Sequence, residues 1–229
     1  MKRFVFLCLA ALAITAFAGV TATMANAENS LPSLLVLEEK AGEFKITGEL
    51  AGTEVAKFNS TFAKLTASSV KVLLTASNMA KLGKIDLHFG GTKLGAKNCT
   101  TEGDAVGVVL IPLAEWHLVL IIPPEIYAFW LLIPKTKIGC EGFEITVEGS
   151  VLTPIAPEGA TKDTTKFLSK AECETVGSRK AKFKEFPTDT GTGKAELKGK
   201  NVLATEEVCE ELTAAIPATS EDMMELMEP

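Results

Sequence analysis

The sequence predicts an all-β protein, an antiparallel β-sandwich or barrel with little helix. Three observations support this: short runs in which apolar and polar residues alternate, turn-forming residues between those runs, and an even number of cysteines after an N-terminal export segment. Alternation with a period of two places apolar side chains on one face of a strand. Short strands at regular spacing are typical of sandwiches and barrels.

The N-terminus has the three parts of a secretory signal peptide. Lys2 and Arg3 form a basic start, residues 4–20 form an apolar run, and a small-x-small cleavage motif ends at Ala27. We expect residues 1–27 to be removed, which makes the mature chain a secreted, cell-surface or periplasmic protein. An uncleaved N-terminal anchor is the alternative.

Alternation is clearest in residues 43–47, 84–89 and 143–148. Each run puts apolar side chains on one face and polar or charged side chains on the other, as a half-buried antiparallel strand does. Turn-forming residues such as Gly90-Gly91-Thr92 separate the runs. We therefore interpret residues 28–157 as the main β domain.

The last part of the chain differs in composition. Residues 158–229 are richer in Lys, Glu and Thr and poorer in large apolar residues. We expect them to add strands to the main domain or to form a small subdomain. Residues 220–227 have the pattern of a capped helix, which predicts a helical acidic tail. We interpret this tail as a frayed terminus; the alternative is an interaction surface formed by its methionines.

The charge balance argues against nucleic acid as a partner. The whole chain has 23 Lys and Arg against 29 Asp and Glu, and loss of the two basic residues of the signal peptide changes the net charge from −6 to −8. Arg179 is the only arginine of the mature chain. Nucleic-acid recognition needs a clustered basic face and depends on arginine for base readout. Anionic membrane surfaces are disfavoured for the same reason.

Four cysteines remain after the signal peptide: Cys99, Cys140, Cys173 and Cys209. An even number in an exported chain predicts two disulfides, with three possible connectivities. We favour Cys99–Cys140 and Cys173–Cys209, because sequential neighbours are the least demanding arrangement. Each bridge would stabilise the fold by roughly 3–4 kcal/mol. No Cys-x-x-Cys spacing occurs and the chain has 2 histidines, so no metal site is expected.

Residues 106–134 form a long apolar block that is either a membrane span or a buried core. A spanning helix needs about 20 consecutive apolar residues with few charges. Prolines divide this block, and Glu115, His117 and Glu125 interrupt it. We therefore expect no integral membrane span in the mature chain. Instead, the pieces predict three short, largely buried strands, over residues 106–111, 116–122 and 126–133.

Glu115 and His117 are the candidate ligand-binding residues. They lie two apart, so a strand places them on one face, opposite Trp116 and Leu118. We interpret them as a charge pair on a solvated face; the alternative is a pocket lined by both. No nucleophile accompanies them, and no G-x-S-x-G, H-E-x-x-H or phosphate-loop pattern occurs. We therefore assign no catalytic residue and no cofactor.

Several short motifs in the middle of the chain are similar to motifs of other proteins. They are the run at residues 98–104, the run at residues 115–119 that contains Glu115-Trp116-His117, and the later Cys140. Together with the stretch at residues 149–155, they are similar to an uncharacterised group of exported bacterial β-rich proteins. The resemblance implies a secreted β-rich protein with no assigned activity, so it supplies no catalytic residues.

We expect a secreted, non-enzymatic structural or interaction protein of the cell envelope or extracellular space, with a protein or envelope partner. One alternative is a carrier that binds an apolar small molecule in a β-barrel cavity. The other is a secreted hydrolase that uses scattered carboxylates or His117.

Overall fold

The computed structural model describes residues 32–37, 42–121, 126–173, 182–188 and 191–227. These residues form fifteen strands and a single 3-10 turn at Glu158–Ala160, which confirms the all-β prediction. The strands are β1 (Ser33–Val36), β2 (Glu43–Asn59), β3 (Lys64–Ser77), β4 (Leu82–Gly90), β5 (Lys93–Leu94), β6 (Lys97–Thr101), β7 (Val109–Ile121), β8 (Ile126–Cys140), β9 (Phe143–Pro157), β10 (Asp163–Ser169), β11 (Glu185–Thr188), β12 (Gly191–Lys194), β13 (Leu197–Lys200), β14 (Thr205–Leu212) and β15 (Ile216–Met227). The expected signal peptide lies outside the described residues.

Antiparallel pairing closes eight of these strands into a ring. Starting at β2, the order is β3, β4, β7, β8, β9, β10 and β15, and β15 pairs again with β2. We call this arrangement the eight-stranded ring. A closed ladder lets each member pair on both of its edges. The fold is therefore barrel-like, which is one of the two architectures that the sequence predicts.

Two long strands, β2 and β9, close the eight-stranded ring. One edge of β2 pairs with β3, whereas its other edge pairs first with β15 and then with β14. In the same way, one edge of β9 pairs with β8 and the other with β13 and then β10. Gly149 lies where β9 leaves β13. Its φ is +126°, and a Cβ there would collide with the backbone oxygen of Glu196, so glycine allows this close crossing.

The strand β4 shows how the alternation directs side chains. Ile85, Leu87 and Phe89 are 5%, 3% and 1% exposed, whereas Lys84 and His88 are exposed. The buried residues belong to the main core cluster. The period-two pattern in the sequence therefore gives the face of this strand correctly.

The apolar block forms two strands, so the prediction of three short strands is wrong. β7 continues through Pro112, and β8 continues through Pro134. Both prolines lie at irregularities of the ladder, where the register between neighbouring strands shifts. At the first, Leu113 has φ of +52° and its N–H donates to the Asp86 Oδ1 at 2.7 Å. A β-bulge tolerates proline because the ladder already lacks a hydrogen bond there. Pro123-Pro124 lies outside the described residues.

Burial on both faces explains why the block is continuously apolar. Trp116 is paired with Leu131 and faces the main core. Val119 is paired with Ala128 and faces the other way, into a second cluster outside the eight-stranded ring. The hairpin of β11 and β12 covers this outer cluster with Phe186, which is 2% exposed.

The prediction of a helical tail is also wrong. Residues 220–227 belong to β15, which pairs with β1, β2 and β10. Met224 and Leu226 are both 0% exposed while Glu225 between them is partly exposed, so this segment has strand periodicity. Long-range pairing outweighs the local helical pattern. Strands β10, β13, β14 and β15, which follow residue 157, join the same sheet as the main domain.

Both expected disulfides are present. Cys99 and Cys140 are cross-strand partners on β6 and β8, with a Cα–Cα distance of 4.1 Å. Cys173 follows β10 and is bonded to Cys209 on β14, with a Cα–Cα distance of 6.0 Å. Two disulfides are typical of proteins that mature in an oxidising compartment.

We expect the Phe186→Ala variant to lose the cover of the outer cluster. The Phe186 aromatic ring lies 5.5 Å from that of Trp130, so its removal admits water beside the indole. Loss of a buried phenylalanine costs about 3–5 kcal/mol. Tryptophan emission should shift to the red and the free energy of unfolding in urea should fall, whereas Phe186→Leu should retain most of both. Unchanged emission and stability in Phe186→Ala would contradict this packing.

Candidate functional site

Glu115 and His117 lie on the outer face of β7. Trp116 and Leu118, which alternate with them, are both 0% exposed in the main core. His117 Nε2 lies 2.9 Å from Glu115 Oε1, and Lys84 Nζ donates to Glu115 Oε2 at 3.0 Å. The Glu115 side chain is 37% exposed and the His117 side chain 20%. The structure therefore brings the two predicted residues together, on the outside of the eight-stranded ring.

The electrostatics of this pair are those of a solvated surface. The hydrogen bond from Lys84, and after it that from His117, holds the pKa of the Glu115 carboxyl below its usual value. Such half-exposed ion pairs contribute little to stability because water screens them. The His117 aromatic ring lies 5.4 Å from that of Trp130, so the pair lies at the rim of the outer cluster. That it binds a ligand stays a prediction.

A cavity lies inside the eight-stranded ring, and β14, which pairs with β2 and β13 beside the ring, contributes to its wall. Apolar side chains form most of its wall, among them Ile46, Leu74, Phe129 and Phe167. Its volume of about 50 Å³ gives room for about four water molecules at roughly 10–15 Å³ each. Neither residue of the predicted pair lines it.

Glu210 is the ionisable residue in the wall of this cavity, and sequence reasoning missed it. It lies on β14 between Val208 and Leu212, whose side chains are each 2% exposed, and it is itself 8% exposed. The apolar-x-Glu-x-apolar spacing could have indicated an inward position. The acids beside it in the sequence, such as Glu206 and Glu211, give this segment a charged composition that masks the spacing.

Burial controls the ionisation of Glu210. Among the described residues, none donates a hydrogen bond to its carboxyl or pairs with it as a cation, and the other side chains that line the cavity do not ionise. Removal from water disfavours the charged form and raises the pKa of Glu210 to about 7. The group is therefore a neutral acid in mildly acidic solution and a buried anion in alkaline solution.

Metal binding finds no support in the described part of the chain, where no three His, Cys, Asp or Glu side chains are grouped closely enough to hold an ion. In the same residues, there is no helix with the length and apolar character needed to cross a membrane.

We expect Glu210→Gln to remove a pH dependence of stability. The folded-state pKa of about 7 lies above the usual value of 4.5. The stability that Glu210 contributes is therefore complete below about pH 4.5 and is lost as the pH rises through about 7. This loss amounts to about 3 kcal/mol. Urea unfolding from about pH 4.5 to about pH 8 should show the unmodified protein losing about that much relative to Glu210→Gln.

The matched control is Glu211→Gln, which removes the next carboxyl on β14. Its Oε2 accepts a hydrogen bond from Asn59 Nδ2 at 3.5 Å and lies outside the cavity lining. This variant should keep the pH dependence of the unmodified protein. Parallel stability curves for Glu210→Gln and the unmodified protein would show that Glu210 is not buried as described.

Comparisons of this chain with protein-family models, with curated proteins and with solved structures found no match. The resemblance to exported bacterial β-rich proteins therefore stays a prediction.

Proposed function

We propose that this chain is a secreted, non-enzymatic structural or interaction protein of the cell envelope or extracellular space, which acts through its outer surface. The packed interior of the eight-stranded ring supports this proposal, because it leaves the outer surface as the part of the fold open to large partners. Large side chains such as Trp116, Phe89 and Ile111 are 0–1% exposed. The remaining cavity of about 50 Å³ is much smaller than the roughly 300–1,000 Å³ of sites for drug-sized ligands. A carrier of large apolar molecules is therefore disfavoured.

The outer surface offers an apolar groove at one end of the sheet. Val106 and Val202, which are 78% and 95% exposed, line it together with Phe143. We call this feature the Val106–Val202 groove. Exposed apolar patches of soluble proteins commonly mark contact surfaces for other macromolecules.

The charges beside the groove indicate the kind of partner. Its lining contains two ionisable side chains, Glu141 and Glu144, and both are acidic. Lys137 lies 3.4 Å from Glu144 and offsets part of that charge. A protein segment that presents an apolar side chain next to Lys or Arg would complement this surface. The two disulfides and the expected signal peptide support a location outside the cytoplasm.

We expect a photo-crosslinking residue at Val202 to form one discrete protein adduct in cells that export the chain. Addition of Val106→Asp should abolish the adduct, because a charge in the groove opposes apolar contact. The yield of the adduct should fall when the cells are irradiated in high salt, because salt screens the charges of Glu141 and Glu144. Denaturing gel electrophoresis of the irradiated cells measures its yield.

The matched control places the same crosslinker at Leu82, which is 54% exposed and is not part of the groove. No adduct, or equal adducts from both positions, would refute the groove as the contact surface. Native mass spectrometry of the purified protein tests the interior separately. A co-purified lipid-sized molecule would favour a carrier instead.

A further inference from the structure

The cavity inside the eight-stranded ring combines an apolar wall with three polar side chains. Thr153 on β9, Ser169 at the end of β10 and Glu210 on β14 all line it. Within the described part of the chain, none of these three side chains makes a hydrogen bond to another protein group. Thr153 and Glu210 are 7% and 8% exposed, whereas Ser169 is half-buried. Buried polar groups are normally hydrogen-bonded, so the unpaired Glu210 carboxyl and Thr153 hydroxyl beside one cavity point to an occupant.

The backbone places the three polar side chains in adjoining parts of the wall. Lys170 N donates to Pro154 O at 3.1 Å, and Leu212 N donates to Ala171 O at 3.0 Å. The segment that follows β10 therefore runs between β9 and β14. Residues two apart on a strand share a face, so Ser169 and Ala171 line the same side of this wall as Glu210 and Leu212.

We propose that this cavity binds the ammonium group of a small alkylamine, with the Glu210 carboxylate as its counter-ion. The Thr153 and Ser169 hydroxyl oxygens are the further acceptors, and the apolar wall holds the alkyl chain. An ammonium has three N–H donors and no acceptor, which matches one carboxylate and two hydroxyls. A volume of about 50 Å³ limits the ligand to about four or five non-hydrogen atoms.

Other ligand classes fit these groups less well. A carboxylate ligand would face the carboxyl of Glu210 without a cation to offset either charge. An alcohol has one O–H donor and would leave acceptors unsatisfied. A calcium ion takes 6–8 oxygen ligands, more than these three side chains supply. The site is separate from the Val106–Val202 groove, so the inference stands independently of the proposed function.

Binding of the ammonium is coupled to the ionisation of Glu210. The lining side chains that come from the strands around it are otherwise uncharged, so the ligand is the cation that offsets the carboxylate. Below the Glu210 pKa of about 7, the ligand must displace a proton. The affinity should therefore fall about tenfold for each pH unit below about 7 and level off above it.

The test is a titration of the full exported chain with n-butylammonium chloride, followed by the NMR shifts of cavity methyl groups such as those of Ile46 and Leu74. We expect saturable binding at about pH 8, at least tenfold weaker binding by Glu210→Gln, and unchanged binding by Glu211→Gln. Thr153→Val, which removes a hydroxyl and keeps the shape, should weaken binding several-fold. The unmodified protein should lose affinity from pH 7 to pH 6, which tests the proposal even if a variant fails to fold.

Butan-1-ol and sodium butyrate are the probes of matched size without an ammonium group. Either one binding as tightly as n-butylammonium would overturn the proposal. So would equal binding of the amine by Glu210→Gln, affinity that does not change with pH, or no saturable binding at all. A crystal soaked in n-butylammonium that shows water alone beside Glu210 would overturn it as well.

Discussion

The closure of the antiparallel ladder at β2 and β9 is the constraint on which the rest of this structure depends. Each of these strands holds one long neighbour on one edge and two shorter strands on the other. Because β15 and β10 complete the circuit, the inner faces of eight strands are directed at one another and exclude water from a common core. Closure also fixes which side of β14 faces inward, and so it places Glu210 in an apolar wall and gives that acid its raised pKa.

The same closure separates the inside of the molecule from its surface. The inside has little free volume, and its polar side chains are few and grouped in one part of the wall. On the outside, the hairpin of β11 and β12 protects the apolar face of β7 and β8, whereas the Val106–Val202 groove is left uncovered. The Glu115–His117 pair lies at the margin of the covered area. The exposed apolar groove and the mostly apolar cavity that contains Glu210 are therefore distinct features of one fold.

Local patterns in the sequence determine much of this architecture. The alternation at residues 84–89 gives β4 and its buried face, and the even number of cysteines gives both disulfides. Long-range features could not be predicted in this way. From the local sequence, Pro112 predicts a strand boundary. The bulge that accommodates this proline inside β7 depends on Asp86 in another strand, which the local pattern does not reveal. The register of β14 against β2 buries Glu210 among apolar side chains, although its neighbours in the sequence are acidic. The pairing of β15 with three strands overrides a helical pattern.

Amide hydrogen exchange on the oxidised full chain, resolved by residue, tests the closed ladder most directly. The hydrogen-bonded amides of the β2–β15 and β9–β10 pairings should exchange as slowly as those between β2 and β3. Such uniform protection is the behaviour of one cooperative unit. Rapid exchange in these closing pairings, with slow exchange retained between β2 and β3, would show that the eight-stranded ring is open at β10 and β15 and would contradict its closure.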